Sequence, residues 1–101
     1  MIERNISNRV FKAEDYIQML RKNVEAYIDK YFYEECRKIF DNLRESATDG
    51  ESLTGNYSLI VPKELNPEVA SEKLLLFFRH QGYNVVLEPS KDRMISISLR
   101  L

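Results

Sequence analysis

The first 49 residues contain neither glycine nor proline, and their apolar side chains recur at helical spacing. Ala13, Tyr16, Ile17, Leu20, Val24, Tyr27, Ile28, Tyr31, Phe32, Cys36, Ile39, Phe40 and Leu43 follow one another in steps of one, three and four. That is the period of a helix with one apolar stripe and not of a strand. The pattern predicts helix over 12–46, with Glu34 paired to Lys38 and Lys30 to Glu34 on its exposed side. At 1.5 Å per residue a helix of this size is about 50 Å long. A compact domain of about 100 residues has a radius of gyration near 13 Å, so the rest of the chain cannot shelter such a rod. Either the segment folds into a helical hairpin between residues 29 and 35, or it stays extended and buries its stripe against another copy. No Gly, Pro or Asn-rich turn marks a break there, which favours the second outcome. The spacing over the whole segment is not a clean heptad, so a less regular oligomer is expected in place of an ideal two-stranded coiled coil.

Beyond this segment the pattern changes. Residues 47–56 are polar, contain Gly50 and Gly55, and read as a flexible connector. Tyr57 to Val61 reads as a strand stopped by Pro62. Asn66 followed by Pro67 is a helix start, a capping side chain and then a residue whose missing N–H is not needed. That helix runs to about Gln81 and carries Leu74-Leu75-Leu76-Phe77-Phe78, with Gly82 placed to end it. Tyr83 to Leu87 and Met94 to Leu101 are strands joined by a turn, the second alternating Ile95, Ile97 and Leu99 with Ser96, Ser98 and Arg100. Residues 1–101 are therefore expected to be a single α+β domain. A long N-terminal helix precedes a strand–helix–hairpin layer over 57–101, with a small antiparallel sheet.

Composition narrows function mainly by exclusion. Fifteen Lys and Arg against 16 Asp and Glu leave a formal charge of −1, without the basic excess that phosphate neutralisation demands of small nucleic-acid binders. A winged-helix regulator, with Lys91 and Arg93 at its wing tip, remains a lesser alternative. The helix that would enter the groove starts Pro67-Glu68-Val69-Ala70-Ser71-Glu72, whose acids repel phosphate. The longest strongly apolar run, Leu74 to Phe78, is far below the roughly 20 residues that span a bilayer. Together with a lone Cys36 and no signal-peptide pattern, this points to a reducing cytoplasmic setting.

Cys36 and His80, the single cysteine and the single histidine, fall in different helices, with no third group to complete a nucleophilic triad. Cys36 reads as a core thiol, and His80 as a helix-end cation favoured by the helix dipole. No Cys-x-x-Cys, His pair or carboxylate cluster suggests a metal or cofactor site. No catalytic residue is expected. The unusual feature is the aromatic group Tyr27, Tyr31, Phe32 and Tyr33. Tyr27 and Tyr31 share a helix face, whereas Tyr33 points about 200° from Tyr31, so one flat contact cannot bury all four. Tyr is a favoured interface anchor, and these four are the expected partner or oligomer surface. A competing expectation is a sponge for a small anionic nucleotide held between subunits. Its candidate ligands are Thr54 and Asn56 on the Gly-containing connector and Lys91 and Arg93 on the hairpin.

Three motifs, Gly55-Asn56-Tyr57-Ser58, Gly82-Tyr83-Asn84-Val85 and Ile95-Ser96-Ile97-Ser98, follow a helical N-terminal segment. In this order the chain resembles small accessory proteins of tailed bacteriophages. The resemblance implies a non-catalytic protein that binds and inhibits or sequesters a host factor, or a host signalling nucleotide, in the host cytoplasm. It carries over no site residue.

Overall fold

A computed structural model describes residues 6–50, 54–89 and 91–101, together with the backbone but not the side chain of Thr54. A short 3-10 turn (Ile6–Arg9) precedes α1 (Ala13–Tyr31), α2 (Tyr33–Thr48), β1 (Thr54–Ile60), α3 (Pro67–His80), β2 (Asn84–Pro89) and β3 (Met94–Arg100). The fold is α+β, as the patterning predicts.

The 19 residues of α1 and the 16 of α2 are separated by one residue, Phe32, at φ −133° and ψ 20°. The helical hydrogen-bond ladder is interrupted at this residue: the Phe32 N–H donates the last bond of α1 to the Ile28 carbonyl at 2.8 Å, and the Phe32 carbonyl accepts the first bond of α2 from the Cys36 N–H at 3.0 Å. The chain bends there and does not fold back. The molecule is 65 Å along its longest axis and its radius of gyration is 17.6 Å, well above the value of about 13 Å for a compact chain of this length. The hairpin alternative is therefore replaced by a bent rod. No Gly or Pro causes the bend. Its cause is packing, because the Phe32 side chain is 0% exposed and sits in the core with Val24, Ile28 and Cys36.

α3 forms as its capping residues dictate. The Asn66 side chain accepts hydrogen bonds from the Glu68 and Val69 N–H groups at 2.8 and 3.3 Å, Pro67 opens the helix, and Gly82 follows it at φ +95°. The three strands lie in the order β1-β3-β2, all antiparallel neighbours, so α3 carries the chain from one sheet edge to the other. The register sets Leu59 opposite Ile95, Tyr57 opposite Ile97, and Val85 opposite Leu99 on one face. That face is buried and the other, with Ser58, Ser96, Asn56 and exposed Ile60 and Val86, is open.

Strand β1 begins three residues earlier than its hydrophobic pattern suggests, and α2 runs two residues past its expected end. The connector shrinks accordingly. Gly55 belongs to the sheet because Tyr57 folds its ring back over it; a Cβ on Gly55 would lie 2.6 Å from that ring. The Tyr57 hydroxyl then donates to Asn42 Oδ1 at 2.7 Å, tying β1 to α2.

The core lies between the sheet and the helices. Leu74 and Phe78 of α3 are buried, and Phe40 of α2 meets Phe77 and Phe78 with ring centroids 5.9 and 5.7 Å apart. α1 packs on α3, with the Lys73 ammonium donating to Asn23 Oδ1 at 2.8 Å. If the buried ring at the joint holds rod and core together, Phe32→Ala costs about 3–5 kcal/mol in urea unfolding. A loss under about 1 kcal/mol contradicts that role.

Candidate functional site

The aromatic group at the bend divides between core and surface. Phe32 is internal. Tyr27 lies against Tyr31 edge-to-face at 5.0 Å and against Phe32 at 6.1 Å, and Lys30 Nζ stands 5.1 Å from the Tyr31 ring centre. The Tyr27 hydroxyl is buried without a hydrogen-bond partner, and burial, followed by the neighbouring Tyr31, raises its pKa. Tyr33, 56% exposed, stands alone among the four in facing solvent.

Tyr33 borders a groove of about 250 Å³ between the bend, α2 and Phe77 of α3. Arg37, Asp41 and Arg44 line one wall, and Ile28, Cys36 and Phe40 are among its apolar residues. The arginines are already engaged. Arg37 pairs with Glu34 at 2.8 Å and Asp41 at 3.1 Å, and Arg44 pairs with Asp41 at 3.2 Å. Glu34 therefore pairs one turn on with Arg37 and not with the expected Lys38, and the hydrogen bond from Arg37 lowers its pKa. With its cations matched by carboxylates, the groove has no surplus positive field for an anion.

Cys36 is buried, and burial with a lesser contribution from Glu35 pushes its thiol up to about 12. Burial disfavours the thiolate, the form that acts as a nucleophile or binds a metal. His80, half-buried, ends α3. Among the described residues, no three His, Cys, Asp or Glu side chains gather as a metal site.

The four ligand candidates are not brought together. Thr54 and Asn56 lie at the end of β1 that pairs with Arg100 and Ser98, and Lys91 and Arg93 lie in the hairpin before Met94, which pairs with Ile60. Five residues of strand, about 16 Å, separate Asn56 from Val61 beside that hairpin. The Thr54 side chain and residues 51–53 of the connector lie outside the described residues. Asn56 sits on the open sheet face, where it accepts from the Ser98 hydroxyl at 2.8 Å. Lys91 is exposed in the hairpin.

Arg93 has a different task from the one expected. Its guanidinium donates to the carbonyls of Val61 (3.2 Å), Pro62 (2.7 Å) and Leu65, and its own carbonyl accepts from the Val61 N–H at 2.8 Å. These bonds pin the β1–α3 connection to the hairpin and engage Nε and Nη2 of the guanidinium. Asp92 and Arg93 adopt φ values of 65° and 61°, a conformation costly for Arg that these carbonyls offset.

A run of exposed apolar side chains lies elsewhere among the described residues, at the start of α1. Every described residue from 6 to 19 is exposed. Tyr16 is 57% and Ile17 47% exposed, Leu20 is partly covered, and Phe11 meets Tyr16 edge-to-face at 6.2 Å. At 100° per residue, Ala13, Ile17 and Leu20 continue the same stripe whose next members, Val24 and Ile28, are buried. One helix face is thus core in its second half and bare in its first. The signal was present in the lengths: α3, at 14 residues or about 21 Å, can cover only part of a rod of about 54 Å. The surplus does not lie in the most aromatic stretch, because the covering layer meets the rod there and leaves the N-terminal end free.

Comparison with known protein families, curated proteins and solved structures finds no match to this chain.

Two measurements check this geometry. Arg93→Ala removes a side-chain donor from the carbonyls of Val61, Pro62 and Leu65, of which Pro62 keeps the Leu65 N–H, and costs about 2–3 kcal/mol in urea unfolding. Arg93→Gly relieves the backbone yet still destabilises; a stabilised glycine variant contradicts the clamp. Iodoacetamide at pH 8 labels Cys36 only in denaturant, and rapid labelling of the folded protein contradicts its burial. The sign of the pH dependence follows, because a thiol raised from about 9 to about 12 favours the folded state fully below pH 9. That contribution is lost as pH rises from 9 towards 12.

Proposed function

We propose that this protein is a non-catalytic binding protein that works as a homo-oligomer, self-associating through the bare N-terminal stripe of α1. In keeping with the likeness to bacteriophage accessory proteins, the target of the assembled form is a host protein that it inhibits or sequesters. The observation that carries the oligomer is the continuity of one apolar face from a buried segment into an exposed one. A helix end with no cover of its own has little reason to be apolar on the same face as its core half, since monomers seldom leave a contiguous apolar patch open. The buried, protonated Cys36 and the engaged guanidinium groups of Arg37 and Arg93 favour binding over catalysis.

Magnitudes set the scale. Full burial of a large apolar side chain is worth about 1.5–3 kcal/mol. Tyr16, Ile17 and Leu20 are already partly covered, so covering the remainder on each of two copies gains less than this per side chain, against an association cost of about 4–15 kcal/mol, and points to a weak, concentration-dependent contact.

Light scattering after size exclusion at about 100 µM tests the reading. The wild type is expected above the 12.0 kDa chain mass, and Ile17→Asp at the chain mass with an unchanged melting curve. A wild type at the chain mass contradicts the oligomer, and an associated Ile17→Asp moves the contact elsewhere.

A further inference from the structure

We propose that two copies pair antiparallel through residues 13–21 of α1, about a two-fold axis, in a register selected by Glu14 and Arg21. The proposal rests on the self-association reading above and adds its geometry. From Ala13 to Tyr31 the stripe keeps alternating steps of four and three (Ala13, Ile17, Leu20, Val24, Tyr27, Tyr31), and this spacing ends at Phe32. Two helices with that spacing can interlock over a short stretch. Val24 is already buried under the chain's own layer and Leu20 is half-covered by it, so the stretch open to a partner is Ala13 and Ile17 with the uncovered side of Leu20.

Charge chooses the orientation. Glu14 and Arg21 are two turns apart and flank the stripe on the same side, the side of Ile17 and Ile28. Both are exposed, and neither takes part in an ion pair among the described residues. The opposite flank carries Lys12, Tyr16, Met19 and Asn23 and no acid. In an antiparallel pair, positions on the same flank face each other; in a parallel pair, opposite flanks do. Antiparallel pairing therefore sets Glu14 against the partner's Arg21 and, by symmetry, Arg21 against the partner's Glu14. Parallel pairing offers Arg21 no acid, and offers Glu14 only Lys12, which precedes the helix.

Charge also fixes the register. With Ile17 of one copy layered on the partner's Leu20, the two Glu14–Arg21 pairs form. Sliding by one heptad sets Glu14 against Glu14 in one direction and Arg21 against Arg21 in the other, and like charges in contact are costly. The contact is isologous and closes on itself, so it stops at two copies. The two bodies then lie beyond opposite ends of a short shared helical segment.

Sedimentation of the wild type, Glu14→Arg, Arg21→Glu and the double variant Glu14→Arg/Arg21→Glu tests this directly. Both positions are exposed, so all four proteins are expected to fold, with circular dichroism as the check. Expected are a wild-type dimer of twice the 12.0 kDa chain mass, single variants weakened roughly tenfold or more by two like-charge contacts each, and a double variant restored to roughly the wild-type affinity. Small-angle scattering of the wild-type dimer is expected to give a maximum dimension well beyond the 65 Å of one copy; side-by-side parallel rods would stay close to it. A dimer indifferent to the single variants, or not restored in the double, overturns the antiparallel register and leaves self-association standing. A wild type that sediments as one chain at every concentration overturns both.

Discussion

The structure depends on a mismatch of lengths. Helices of 19 and 16 residues, joined through one residue, form a rod that the layer built by the rest of the chain cannot cover. Hydrophobic burial is the dominant favourable term in folding, so the position of that layer along the rod decides which part of the stripe becomes core and which remains surface. Here it covers the middle and the C-terminal end. The N-terminal end keeps the same apolar face with nothing over it.

The devices of the fold serve this arrangement. Phe32 bends the rod where it passes from α3 towards β1, and its buried ring anchors the bend. Arg93 locks the hairpin to the β1–α3 connection through three carbonyls. Tyr57, lying over Gly55 and bonded to Asn42, fastens the first strand to α2. Each is a short-range solution to the problem of attaching a thin three-stranded sheet to a long helix.

Much of this was legible in the sequence. Steps of three and four announced the helix, Asn66-Pro67 and Gly82 bracketed α3, and the Ile-Ser alternation marked β3 and its buried face. What was not legible came from tertiary packing. Phe32 breaks a helix with no Gly, Pro or polar turn, because the core claims its side chain, and propensity alone carries no trace of that. Arg93 reads as a free cation at a hairpin tip until the carbonyls of Val61, Pro62 and Leu65 are placed beside it. The aromatic residues Tyr27, Tyr31, Phe32 and Tyr33 stood out as surplus, yet three of them pack at least partly against the core, and the bare part of the stripe is the plainer Ala13 and Ile17, with Leu20 half-covered at its edge. Periodicity specifies which face of a helix is apolar; only the partner layer specifies where along its length that face is hidden.

The central claim is that the bare end of α1 is covered in solution by another molecule of the same chain. Amide hydrogen exchange followed as a function of protein concentration tests it most directly, because an uncovered helix end frays and exchanges quickly while a covered one does not. The account predicts that protection over residues 13–21 rises with concentration across the micromolar range while protection over α3 stays constant. Exchange over residues 13–21 that is equally fast at every concentration would contradict it.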